Sequence, residues 1–104
     1  MSIPMIHKFN FEAEVLQSTV PVLLDFWATW CGPCQKLTPI LEELAAEGQD
    51  YVIRKVDVDA DPELAVRYRV ASIPTLILFR DGEAVSRLTG LRSKEQILAH
   101  FSKS

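Results

Sequence analysis

Three features of this chain predict an α/β fold, a central mixed β-sheet flanked by α-helices on both faces. Pro21–Trp27 is a continuous apolar run broken by one charge, Asp25, and continuity rather than alternation marks a strand buried on both faces. That run hands over to a helical pattern, Leu37, Ile40, Leu41, Leu44 and Ala45, whose spacing puts them on one buried face. Later apolar runs alternate with helical patterns, and Asp81-Gly82 between two of them is a strong hairpin signal, so antiparallel pairing joins the sheet.

Taken in order, residues 3–8 alternate loosely and read as a short edge strand, with Pro4 tolerated only at its start. Asn10 is the expected N-cap of a short helix over 11–17, with Phe11 and Val15 facing inward. The buried strand 21–27 comes next. A helix then runs from Pro33 to Glu47, with proline in its first turn and Gly48 just past its end. Pro39 falls inside it; an interior proline removes one backbone hydrogen bond at a cost of about 3 kcal/mol and predicts a kink. Tyr51–Val58 is a strand rich in β-branched residues, and Asp61-Pro62 reads as N-cap and first position of a helix through Tyr68. Ile73–Phe79 and Glu83–Leu88 form the hairpin, and Ser93 to Gln96 is a capping box for a last helix with Ile97, Leu98 and Phe101 on its apolar face.

Between the buried strand and the long helix lies Trp30-Cys31-Gly32-Pro33-Cys34, which holds the only two cysteines of the chain. Cys31 sits just before the first helical turn and Cys34 within it. Unpaired amide N–H groups and the positive end of the helix dipole meet there, and both favour an anion. A thiol so placed loses its proton more readily and becomes a better nucleophile. Cys34 lies one turn deeper on the same face, within reach of a sulfur attached to Cys31. The pair can take up a disulfide from a substrate and then close on itself. Half of a zinc site or a pair of inert buried thiols is the bland alternative, but for zinc the other candidate ligands, His7, His100 and carboxylates, lack matching spacing. Haem attachment fails too, since no histidine follows Cys34.

Bulk properties narrow the function further. The 104 residues suit one domain, residues 1–104, with a core of its own, and apolar residues at 48% fit a soluble globular chain. A formal charge of −3 speaks against nucleic acid as the main partner. No apolar run approaches the roughly 20 residues that span a bilayer, so no membrane role is expected. The N-terminus lacks a basic start followed by an apolar stretch, and two cysteines in one motif are no disulfide framework. The expected setting is reducing cytoplasm, or an organelle after cleavage of a leader. Asp57-x-Asp59-x-Asp61 resembles the start of a calcium loop, but Pro62 stands where glycine is needed and Tyr68 where a glutamate should close the cage.

Outside the motif, Asp25 is the residue that asks most for an explanation. A carboxylate inside an apolar strand is costly to desolvate, which raises its pKa unless it is partnered. It is a proton-transfer group, an outward-facing acid, or a structural partner of Lys55.

Asp25-Phe26-Trp27-Ala28, Trp30-Cys31-Gly32-Pro33-Cys34, Pro39, Lys55, Ile73-Pro74-Thr75, Asp81-Gly82 and Gly90 together resemble the thioredoxin family over essentially the whole chain. A bare Cys-x-x-Cys is weak evidence; Trp-Cys-Gly-Pro-Cys with the preceding acid and the later Ile-Pro-Thr is very specific. The resemblance implies the thioredoxin fold and dithiol–disulfide exchange on protein substrates. By it, Cys31 attacks the substrate disulfide and Cys34 resolves the mixed disulfide, while Gly32 and Pro33 keep the turn tight. Asp25 is implied as base or proton relay for Cys34, tuned by Lys55. Pro74 matches the family's cis-proline, which presents the backbone of Ile73 to an extended substrate and keeps metals from the thiols; a plain strand-opening proline is its alternative. Trp30, Ile73, Gly90 and Leu91 are expected to form an apolar rim around Cys31, although each could be ordinary packing, and Trp27 is expected to pack beneath the motif.

Gln35, Arg69 and Leu91-Arg92 depart from the family pattern, and these departures fall on partner choice rather than on the core reaction. The resulting expectation is a general protein-disulfide reductase serving cell redox homeostasis. It is monomeric, needs no bound cofactor, and is re-reduced by a thioredoxin reductase. A thioredoxin-fold oxidant or isomerase, or a redox-gated protein-binding subunit, is the alternative.

Overall fold

Burial on both faces organises the chain, and the computed structural model describes it over residues 3–102. The strands are β1 (Met5–Ile6), β2 (Val22–Trp27), β3 (Val52–Asp57), β4 (Thr75–Arg80) and β5 (Glu83–Thr89). The helices are α1 (Gly32–Glu47), α2 (Pro62–Arg67) and α3 (Lys94–His100). Strand order is β1-β3-β2-β4-β5. β1, β3 and β2 run parallel, whereas β4 is antiparallel to β2 and β5 antiparallel to β4, the mixed sheet that the hairpin signal predicts.

Alternation along β2 divides the core in two. Leu23 points to one face, where Leu37, Leu41 and Leu44 of α1 pack with Ile97 and Phe101 at the end of the chain. Val22, Leu24 and Phe26 point to the other, against Phe11, Val15 and Leu64. With both faces covered, the central strands β2 and β4 have no room for polar side chains without a purpose, and this is what makes Asp25 conspicuous.

Several boundaries differ from the sequence reading. The expected strand 3–8 contracts to Met5–Ile6, because the chain turns at His7, whose N–H is taken by Asn10 Oδ1 at 2.8 Å. Asn10 is therefore spent on that turn and does not cap the next element. The expected helix 11–17 is a single wide turn over Glu12–Leu16, closed by Gln17 N–H to Glu12 C=O at 2.8 Å, yet Phe11 and Val15 are buried as expected. Asp61 does not cap α2 with its side chain; its Oδ1 accepts the N–H of Lys8 at 3.0 Å, a long-range tie that local spacing does not reveal. The helix α1 runs through Pro39, and the Ser93–Gln96 capping box forms in both directions.

Candidate active site

The handover from β2 to α1 builds the site. Cys31 has extended backbone and is the N-cap residue of α1, with Gly32 and Pro33 opening the helix and Cys34 one turn in. The Cys34 N–H donates to Cys31 Sγ at 3.2 Å, one of the orphan amides of the helix start aimed at the sulfur. The two sulfurs are joined as a disulfide, with Cα atoms 5.2 Å apart. The pair is asymmetric. Both residues are buried, but Cys31 lines an open groove of about 510 Å³ and Cys34 does not.

That groove carries the apolar surface around the disulfide. Trp30, Gly32, Pro33 and Ile73 line it, and the Ile73 carbonyl oxygen is 3.9 Å from Cys31 Sγ. The Ile73–Pro74 peptide is cis. Pro74 is buried, and its carbonyl accepts the N–H of Gly90 at 2.8 Å. Gly90 thus reaches the site through Pro74 rather than by lining the groove, and Leu91 follows it as an exposed side chain. Lining residues outside the predicted rim come from one stretch, Val58, Ala65, Val70, Ala71 and Ser72. Their signal in the sequence is weak: α2 and its exit must lead the chain back to Ile73 past the cysteines, but nothing local marks that path as a surface.

Trp30 is 69% exposed, far more than an indole in ordinary packing. Its Nε1–H donates to Asp59 Oδ2 at 2.7 Å, which fixes the ring at the mouth of the groove. Asp59 entered the sequence reading only within a rejected calcium pattern.

Asp25 lies on the face of β2 that Leu23 shares with α1. Asp25 is 1% exposed and its Oδ1 has no hydrogen-bond partner among the described residues. Burial pushes its pKa from 3.8 up to about 7, against a smaller opposing pull from the Lys55 ammonium. Asp25 and Lys55 are register partners on β2 and β3, so their side chains emerge side by side. The Lys55 Nζ lies 4.3 Å from the centre of the Trp27 ring, and Trp27 packs against the cluster of Ala28, Cys31 and Cys34. The outward-facing alternative for Asp25 is thereby removed.

A helix N-terminus holding a Cys-x-x-Cys disulfide, a cis Ile73–Pro74 peptide with the Ile73 carbonyl beside Cys31, and a buried acid on the preceding strand agree with what comparison of the sequence finds. A family model described as Thioredoxin matches residues 2–103. The chain belongs to the thioredoxin family. A thioredoxin of Mycobacterium bovis is 51% identical over 94 residues, covering 89% of this chain and 81% of its own length. A thioredoxin of Chlamydia trachomatis is 46% identical over 101 residues, 97% of each chain. A bifunctional thioredoxin reductase/thioredoxin of Mycobacterium leprae is 49% identical over 94 residues, 89% of this chain and 20% of that protein. Thioredoxins are dithiol–disulfide oxidoreductases, and with its cysteine pair at bonding distance this chain is a protein-disulfide reductase. Among the described residues, no helix is long and apolar enough to cross a membrane.

Proposed function

We propose that Cys31 is the attacking thiol, Cys34 the resolving thiol and Asp25 the base that serves Cys34, within one thioredoxin domain. The observation that carries this assignment is the asymmetry of the pair: Cys31 faces the groove and accepts the Cys34 amide, while Cys34 lies behind it. In the reduced protein the same amide and the helix start stabilise a Cys31 thiolate. The thiolate attacks one sulfur of a substrate disulfide, the substrate S–S bond breaks, and the departing thiolate takes up a proton. Cys34 gives its proton to Asp25 and attacks Cys31 Sγ; the bond from Cys31 to the substrate breaks, and the second substrate sulfur leaves as a thiolate that takes the proton back from Asp25. Two electrons and two protons have then passed to the substrate, and the Cys31–Cys34 disulfide is left.

The other site residues position these steps. The backbone of Ile73, turned toward Cys31 by cis-Pro74, pairs with an extended substrate segment, while Trp30 and the wall from Val58 to Ser72 cover its side chains. Gly32 and Pro33 keep the turn short; Gly90 supports Pro74, and Leu91 borders the docking surface. Lys55 adjusts the charge of Asp25. A thioredoxin reductase returns electrons to the disulfide; the fused reductase and thioredoxin of the M. leprae relative supports this pairing. The protein works as a monomer in reducing cytoplasm, a setting in keeping with bacterial relatives that are themselves thioredoxins.

Single-residue variants test the assignment. Cys34→Ser is expected to stop after the first step and accumulate a mixed disulfide with a disulfide-bearing protein such as insulin, visible by non-reducing electrophoresis and mass spectrometry. Cys31→Ser is expected to form none and to lose multiple turnover. Trapping through Cys34 in the Cys31→Ser protein would reverse the roles.

A further inference from the structure

The Lys55 ammonium has two possible seats on the same face of the sheet, and it occupies the less obvious one. Asp25 is its register partner on the neighbouring strand, yet no ion pair joins the two among the described residues. The ammonium instead lies 4.3 Å from the centre of the Trp27 indole, two residues along β2 from Asp25. A tryptophan face attracts a cation through its quadrupole, and does so better than any other side-chain ring. The indole is itself held in place, packed under Ala28, Cys31 and Cys34.

We propose that Trp27 is a positioning residue for Lys55: its ring holds the ammonium off the Asp25 carboxyl and so sets how tightly that carboxyl keeps its proton. The surroundings leave few competitors. On this face β3 contributes Lys55 and Asp57 as its charged groups, the latter being the register partner of Trp27. β4 contributes the apolar Leu76 and Leu78, and α1 contributes Cys34 with Leu37 and Leu41. Among the described residues Lys55 is therefore the one cation placed to stabilise an ionised Asp25 here, and its distance from the carboxyl is the variable that the ring controls. An ammonium within ~4–6 Å of a carboxylate lowers its pKa by about one to three pH units. Released from the indole, Lys55 can close on its register partner, its pull on the carboxyl grows, and Asp25 ionises at lower pH. This inference rests on the reading of Asp25 as the base for Cys34 only for its catalytic meaning; the proton affinity is measurable without turnover.

The test follows the Asp25 carboxyl carbon by 13C NMR against pH in the oxidised protein, where neither cysteine titrates. Trp27→Leu is expected to lower the midpoint by about one pH unit, and Trp27→Phe, which keeps a weaker ring face, by less. In a Lys55→Met background the same substitutions are expected to leave the midpoint nearly unchanged. If Trp27→Leu leaves the midpoint unmoved, or lowers it equally with and without Lys55, the inference is overturned, since the indole would then act only by excluding water. Should Trp27→Leu fail to fold, the Trp27→Phe pair carries the same comparison. Failure of the base assignment would appear separately, as unimpaired insulin reduction by Asp25→Asn while the Asp25 midpoint of the parent still moves on Trp27→Leu.

Discussion

Replacing Asp25 with asparagine should change how stability depends on pH, and the size of the change can be worked from the site. In the unfolded chain Asp25 loses its proton near 3.8; in the fold, burial holds it to about 7. Between these values the native state keeps a proton that the unfolded chain has released, so stability falls as pH rises through that window and levels off above it. At about 1.4 kcal/mol per pH unit, the fall is on the order of 4 kcal/mol. Set against a typical total of about 5–15 kcal/mol, that is a large fraction of the stability.

Asparagine cannot ionise. Its amide adds a desolvation cost of about 1–3 kcal/mol that does not vary with pH. The difference in unfolding free energy between variant and parent should therefore shift by on the order of 4 kcal/mol in favour of the variant between pH 4 and pH 8. Urea unfolding of both oxidised proteins across pH 4–9 reads this directly, with the gap in midpoints moving by roughly 2 M for a slope of about 2 kcal/mol/M. A gap that stays constant from pH 4 to pH 9 would refute the reasoning, because Asp25 would then ionise as easily in the fold as outside it.

Three further outcomes are expected. Gly82 has φ +80°, and an added Cβ would lie 2.8 Å from the Leu16 carbonyl oxygen, so Gly82→Ala should cost roughly 2–3 kcal/mol in urea unfolding. Ser93→Ala removes the acceptor for the Gln96 N–H and half of the capping box, and should cost about 1 kcal/mol, concentrated in amide exchange of α3. Equilibration of the cysteine pair with glutathione should give a reduction potential near the thioredoxin benchmark of about −270 mV; a value in the range of about −180 to −120 mV would reverse the direction of electron flow.

Where a feature of the chain depended on neighbours in sequence, it was legible in advance. The buried strand β2, the long helix after it, the hairpin at Asp81-Gly82 and the Ser93 capping box are each written in residues a few positions apart, and all four form. The placement of Cys31 at a helix N-cap follows from the same local logic, because a continuous apolar run must end before a helical period begins. Asn10 and Asp61 show the limit of that logic. Each has the side chain a cap requires, but Asn10 serves the N–H of His7, and Asp61 that of Lys8, far away in sequence and close only in the fold.

The chemistry divides in the same way. Sequence alone placed the two cysteines at one helix start, which spacing sets, and implied the family's fold through the motifs that resemble it. Tertiary structure alone decided that the Asp25 carboxyl is buried with one oxygen unpaired among the described residues, that Trp30 is tied to Asp59, and that the groove wall comes from Val58, Ala65 and Val70 to Ser72. It also decided that Lys55 rests on Trp27 instead of pairing with Asp25. The physical reason is common to all of these. Burial, proton affinity and shape depend on what packs across the sheet and over its edge, and the packing partners come from stretches of chain whose separation no local pattern encodes.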